Sequence, residues 1–305
     1  MGPDLASRQT ADPKHGQLER MKQSMITVPD PGSPEDISPS LRTPRGPSVV
    51  AGSTEVRLAR EPKDIKAAQE LRYRVFYEEM GAKPSGETAL LKLDRDPFDS
   101  TAEHLLVIDH SLGGLVVGTY RLMRRRFSDQ AGGFYTAQEY DISKLTRFKG
   151  EILELGRSCV DPRYRSKAIM LLLWQGIAAY AFEHNIRLMF GCASLPTSDP
   201  DAHAQALSYL HHHHRAPEEL RPRALSSQRV EMNVLSADQI DAKQALKNLP
   251  PLIKGYLRLG GWVGDGAVVD RQFNTTDVCI IVQMEHLTRK YFKHYQRMLQ
   301  GVRLQ

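Results

Sequence analysis

The stretch Glu151-Ile152-Leu153-Glu154-Leu155-Gly156-Arg157-Ser158-Cys159-Val160, followed by Asp161-Pro162-Arg163-Tyr164-Arg165-Ser166-Lys167-Ala168, decides the fold. Its first ten residues are a strand candidate, Asp161-Pro162 breaks the run, and a basic segment opens the apolar run Ala168 to Phe182. That run is interrupted by Gln175 and Gly176 and falls short of the roughly 18 residues a membrane span needs, so it reads as a buried helix reaching His184. Arg187 to Ala193 is the next strand candidate. Strand, basic loop, helix and strand together predict an α/β (α+β) fold with a mixed central sheet flanked by helices.

Working upstream, His104 to Asp109 and Leu115 to Met123 flank the turn His110-Ser111-Leu112-Gly113-Gly114 and read as a β-hairpin. Ile65, Ala68, Leu71, Val75 and Phe76 recur at helical steps, predicting a helix from about Pro62 to Glu79 with Gly81 beyond its end. The first 53 residues hold eight of the eighteen prolines and little apolar periodicity. They are expected to be a disordered tail before a single folded domain, 54–305. Downstream, an extension from about residue 196 is expected to contain a helix near Asp201 to Leu210, the loop run His211 to His214, and a loop from Arg215 to Arg223. A helix at Leu249 to Leu259, a strand at Asp277 to Glu285 and a basic amphipathic helix at Leu287 to Leu299 complete it.

Of 305 residues, 41% are hydrophobic and 25% charged, the usage of a protein with an ordinary core. The N-terminus lacks a secretory pattern, and the distant Cys159, Cys192 and Cys279 match no zinc spacing and read as buried thiols. The net charge of +5 is localised: residues 118–167 carry eleven Lys/Arg against six Asp/Glu, while residues 1–53 carry six of each. Such a basic region suits an acidic partner. No nucleic-acid signature accompanies it, so nucleic acid is not expected. Neither a Gly-x-Ser-x-Gly elbow nor a P-loop lysine motif occurs.

A helix start after a strand offers unpaired N–H groups and the positive end of the helix dipole, which suit phosphate oxygens. Arg163, Arg165, Ser166, Lys167 and Ala168 form that start. Glu154, on the strand before it, is a candidate general base, with Arg157 and Asp96 as further catalytic candidates. Residues three apart on a regular strand face opposite sides, so Glu154 and Arg157 share a cleft only if a bulge near Gly156 re-aims one of them. Irregular pairing is therefore expected at Leu155 or Gly156. Asp94 and Asp99, with Asp96, would offer an anionic site for the amino groups of a cationic substrate, and Arg121 and Arg74 are further substrate-binding candidates. No metal site is expected: the acidic loop lacks an EF-hand pattern, and four consecutive histidines do not converge on one ion. Arg124-Arg125-Arg126, with Arg147, Lys149 and Arg165, would form a cationic patch beside the basic loop.

The loop Arg163, Ser166, Ala168 resembles the acyl-carrier pyrophosphate loop of the GCN5-related N-acetyltransferases, Arg/Gln-x-x-Gly-x-Gly/Ala, with serine at the first glycine position. Asp94, Asp96, Asp99, Arg121, Glu154 and Arg157 follow the order of the polar core of acyl-homoserine-lactone synthases. Glu151 to Val160, Tyr209 to Arg223 and Leu249 to Val278 together resemble the bacterial L-ornithine N-alpha-acyltransferases of ornithine lipid synthesis, over roughly residues 55–290. This last resemblance implies a cytoplasmic enzyme, at times peripheral to the inner membrane face. It would move a 3-hydroxyacyl group from acyl carrier protein to the alpha-amine of L-ornithine, using no cofactor beyond the donor's phosphopantetheine. The competing expectations are an acyl-homoserine-lactone synthase-like enzyme and a carrier-binding module without catalysis.

Overall fold

The computed structural model describes residues 48–286; most of the expected tail and the helix expected over 287–299 lie outside them. Twelve strands are present among these residues: β1 Val49–Ala51, β2 Thr54–Leu58, β3 Glu103–Asp109, β4 Leu115–Arg124, β5 Tyr140–Asp141, β6 Glu151–Val160, β7 Ile186–Pro196, β8 Arg223–Ala224, β9 Arg229–Val230, β10 Trp262–Val263, β11 Ala267–Asp270 and β12 Thr275–Gln283. The helices that position the site are α1 Pro62–Tyr73, α2 Lys167–Glu183, α3 Ala204–His214 and α4 Pro251–Arg258. Strand β1 pairs with β2, Val49 opposite Val56, so the sheet takes in residues ahead of the expected boundary at residue 53.

The main sheet runs β1-β2-β3-β4-β6-β7-β12-β11-β9, with β10 also on β12, and β5 and β8 form a separate pair. Every pairing is antiparallel except β6 with β7. The late strand β12 lies along β7 from Leu188 to Pro196, so the segment beyond residue 196 returns to complete the sheet.

Alternation along the strands divides the molecule into two layers. Leu105, Val107, Leu153 and Leu155 face α2 and α4, in a core with Leu172, Ile177 and Ile253. Their neighbours Leu106 and Ile108 face α1, and Ile152 packs with Met123 and Phe190. Helix α2 is capped by Ser166, whose side chain accepts from the N–H of Ile169. Gly176, which interrupts the apolar run, lets α2 close onto the sheet: a Cβ there would meet Val56 Cγ2 at 2.8 Å and Leu105 Cδ2 at 3.0 Å. The helix expected over 62–79 is present but changes form, with α1 followed by a π-helical segment, Arg74–Glu79, before Gly81 at φ 76°.

The parallel pairing of β6 and β7 spans only Glu151–Glu154 against Ile186–Phe190, although the strands continue to Val160 and Pro196. Beyond it they splay into a cleft. Gly191 marks the branch point, because a Cβ there would lie 2.2 Å from the carbonyl oxygen of Leu155. Gly191→Ala is therefore expected to force the strands apart and destabilise the fold by about 1–3 kcal/mol, the range for overpacking. Denaturant titration checks this; an unchanged midpoint would show that the backbone yields freely at the branch.

Candidate active site

At the mouth of the cleft β6 is bulged. Its register with β4 passes from Gly156 opposite Arg121 to Cys159 opposite Thr119, so Arg157 and Ser158 together face Tyr120. Arg157 takes a left-handed backbone at φ 50°, unusual for a residue with a side chain. The irregularity thus falls just after Gly156, later than expected at Leu155 or Gly156. It nevertheless brings Glu154 and Arg157 to one place: Glu154 accepts from the Tyr135 N–H at 3.0 Å and the Thr136 N–H at 2.6 Å, and the Arg157 guanidinium lies 4.8 Å from the Tyr135 ring centre.

Glu154 is 4% exposed. Burial raises its pKa above the usual carboxylate value, against the opposing hydrogen bonds from Thr136 and Tyr135 and the charge of Arg121. Among the described residues it makes no ion pair; instead it holds the 3₁₀ turn Tyr135–Gln138 against the sheet.

The three aspartates 94, 96 and 99 are enclosed by arginines. Arg72, wholly buried on α1, reaches Asp94 Oδ2 at 2.8 Å and Asp99 Oδ2 at 2.5 Å. Arg121 bridges Asp96 at 2.5 Å and Asp99 at 3.0 Å, while Arg157 lies 3.3 Å from Asp94 and 3.0 Å from Asp96. Gln69 and Tyr77 add hydrogen bonds at 2.9 and 3.1 Å. Burial alone would raise Asp99, but Arg72 and Arg121 outweigh it and hold this carboxyl well below its ordinary value. Three carboxylates matched by three guanidiniums leave little net charge to attract a substrate ammonium, so the expected anionic site is spent internally. Arg74 is exposed and outside this network. Arg72 takes its place because it lies one helical turn after Ala68 on the buried face; that phase was readable, since Ala68, Leu71 and Val75 mark the face.

At the other end of the cleft, Arg163 pairs with Asp161 at 2.9 Å and Arg165 with Glu79 at 2.6 Å, while Ser166 caps α2 and Lys167 and Ala168 stand exposed in its first turn. The expected patch of Arg124-Arg125-Arg126 is not beside this loop. Arg124 is opposite Leu153 and Gly118 opposite Val160, which puts the arginine run about 23 Å along the strand from the loop at about 3.3 Å per residue. Arg124 is buried against Glu103, and Arg125 donates to the carbonyls of Thr146, Phe148 and Gly150, which leaves Arg126 exposed. An antiparallel strand returns its far end to the far edge, and nearness in sequence concealed this.

His211–His214 form the last turn of α3, where a loop was expected. The helix persists because Ala206, Leu207 and Leu210 remain on a buried face. His213 and His214 pack on Tyr209, and His212 hydrogen-bonds the Leu235 carbonyl at 3.1 Å. Burial raises the thiols of Cys159, Cys192 and Cys279, so none is an activated nucleophile.

Two acids not singled out from the sequence also face the cleft. Glu139 follows the turn that Glu154 holds, and Asp277 on β12 is opposite Ser194 of β7. Each is 6% exposed. Burial, reinforced by Asp277, pushes Glu139 up to about 8; burial likewise raises Asp277 to about 6.

Residues 71–175 match the acetyltransferase (GNAT) domain model. A curated L-ornithine N(alpha)-acyltransferase of Brucella abortus is 50% identical over 250 residues, covering 80% of this chain and 89% of the relative. Another of that name, from Agrobacterium fabrum, is 47% identical, covering 80% and 85%. Among solved structures, an N-acyl amino acid synthase from uncultured soil microbes aligns with a TM-score of 0.42 and 14% identity, over 76% of this chain and 91% of its own. With half of the aligned residues identical over 80% of this chain and 89% of such a relative, the chain belongs to the L-ornithine N(alpha)-acyltransferase family.

Proposed function

We propose that this protein transfers a 3-hydroxyacyl group from acyl carrier protein to the alpha-amine of L-ornithine, giving lyso-ornithine lipid. The observation that carries the proposal is the 50% identity to a relative bearing the ornithine acyltransferase name, spread over 250 residues. The cleft supports it. From Leu155 to Val160, β6 has no partner in β7, so that edge offers peptide groups to an extended phosphopantetheine arm, apart from the Val160 carbonyl, which accepts from Arg165 at 3.2 Å. A thioester there lies beside Glu154 and Arg157. The exposed first turn of α2 suits the phosphate of the arm, and Arg74, Arg163 and Lys167 around it would meet an acidic carrier.

In this scheme Glu154, directly or through one water, takes a proton from the alpha-ammonium, and the free amine attacks the thioester carbonyl. A β6 peptide N–H stabilises the oxyanion, and the pantetheine sulfur leaves as a thiolate that takes up the second proton, lost from the attacking nitrogen as the amide forms. The acyl group arrives on the donor, so no resident cofactor is invoked. Among the described residues no helix is long and apolar enough to cross a membrane, and the amphiphilic product would be handed over at the membrane surface. The test is to incubate the purified protein with 3-hydroxyacyl carrier protein and individual amines and identify products by mass. N-acylornithine is expected; a product from another amine only would overturn the acceptor assignment.

A further inference from the structure

Glu139, Asp270 and Asp277 each direct a carboxylate oxygen to one point, those atoms lying within 4.8 Å of one another. They come from the end of the turn held by Glu154, the end of β11 and the start of β12. Asp270 Oδ1 is engaged by the N–H groups of Gln272 and Phe273 at 2.8 and 2.9 Å. Glu139 Oε2 and Asp277 Oδ1, in residues each 6% exposed, make no hydrogen bond among the described residues, although the Cys192 thiol lies near the Glu139 carboxyl and the Thr275 and Ser194 hydroxyls near that of Asp277. Among the described residues no lysine, arginine or histidine forms an ion pair with any of the three. Arg157, whose charge reaches both Glu139 and Asp277, spends its own contacts on Asp94 and Asp96. Buried oxygens left without donors are costly, and a cluster of three acids facing a cleft has the chemistry of a cation site.

We propose that Glu139, Asp270 and Asp277 bind the side-chain ammonium of the acceptor amino acid and so select a diamino acid. This deepens the acyltransferase assignment and rests on it. A primary ammonium has three donors in a tetrahedral fork. At about 2.8 Å each, they reach acceptors about 4.6 Å apart, which suits the span of this cluster. A divalent cation would also accept oxygens no more than 4.8 Å apart, so chelation separates the two ligands in the test below. Position agrees as well. Asp277 is level with Ser194 on the splayed part of β7, and Cys192, two residues before, has its thiol 3.9 Å from the hydroxyl of Thr136, whose N–H binds Glu154. One short turn therefore sets both the proposed base and the proposed ammonium site. The side chain would be held at one end while its alpha-amine is presented to the thioester.

The cluster also predicts linkage to pH. Glu139 is faced by Asp277 and Cys279 from β12, Asp270 from β11, Cys192 from β7, Arg157 from β6, and Tyr135 and Tyr140 from its own segment. Without a cation the cluster retains protons near neutrality, and an incoming ammonium displaces them. KM for the diamino acid is therefore expected to fall as pH rises from about 6 to about 8.

The test compares L-ornithine with L-norvaline, the same skeleton without the terminal amine, as acceptors for the wild-type protein, Glu139→Gln, Asp277→Asn and the double variant. The wild type is expected to prefer ornithine by at least about 100-fold in kcat/KM. Each single variant should raise the KM for ornithine about 10-fold or more, lower the preference, and flatten the pH dependence of KM. An unchanged preference in variants whose near-ultraviolet circular dichroism matches the wild type would overturn the proposal. So would loss of ornithine use on adding EDTA with recovery on adding magnesium or manganese, since the cluster would then hold a metal. If the wild type acylates no amine, the acyltransferase assignment fails by itself. Calorimetry of ornithine and norvaline against the donor-free protein then decides the site: ornithine binding lost in the variants supports it, and equal or absent binding of the two overturns it.

Discussion

Arg72→Met is expected to destabilise the fold by about 3–5 kcal/mol, the range for removing one partner of a buried ion pair. The guanidinium is completely buried and serves Asp94 and Asp99 together, with a further bond to the carbonyl of Asp94. Methionine fills a similar volume but leaves two carboxylates facing Arg121 and Arg157 alone. Arg72→Lys is expected to recover little, because a single ammonium does not reproduce the planar fork that meets both acids. The linkage to pH gives a second readout. Asp99 has a folded-state pKa below its ordinary 3.8, so its contribution is fully present above that value and disappears as pH falls below it. In Arg72→Met this acid-side loss should shrink. Denaturant titration at neutral pH and near pH 3 measures both effects; a loss under 1 kcal/mol at neutral pH would mean that water or the remaining arginines solvate the acids.

The elements that were legible in the sequence are those whose burial repeats with a period. Strand β6 runs over Glu151–Val160, the bounds of its strand candidate, and the hairpin of β3 and β4 followed from two apolar runs about a Gly-Gly turn. The acidic loop and Arg121 also came together, since Asp94 to Asp99 is one short segment and Arg121 sits on the strand beside it. Legibility ended where the position of a charge depended on distant chain. Whether three aspartates attract a substrate or neutralise arginines depends on how many arginines arrive, and Arg72 comes from a helix more than twenty residues away. Arg124-Arg125-Arg126 looked like surface charge, but two of the three are bound to a half-buried carboxylate or to backbone carbonyls. The cluster of Glu139, Asp270 and Asp277 draws on two segments over a hundred residues apart and leaves no local pattern. The bulge was inferable as a need, because Glu154 and Arg157 had to share a face. Its location at Arg157, a residue with a side chain at φ 50°, was not, since propensity favours glycine there.

Glu154→Gln is expected to lower kcat for N-acylornithine formation by about 10²–10⁴-fold, the usual contribution of a positioned general base. The carboxylate has a second task that must be separated from this one. Its two oxygens accept from the N–H groups of Tyr135 and Thr136, and glutamine offers one acceptor and one donor. The amide NH₂ would therefore oppose a peptide N–H and loosen the turn that carries Glu139. A purely structural role predicts a rise in the KM for ornithine together with the fall in kcat, and a similar acidic limb in the pH profile of whatever kcat remains. A base predicts that the limb is lost. Burial raises the folded pKa of Glu154, so in the wild type kcat should climb with pH through a value above that of an ordinary glutamate and then level off. Glu154→Asp separates the cases further: it keeps a carboxylate but draws it back by one methylene, so it should retain the limb at reduced kcat. Retention of the limb in Glu154→Gln, with KM and kcat changing in proportion, would assign Glu154 to holding the turn and leave proton transfer to another group at the cleft.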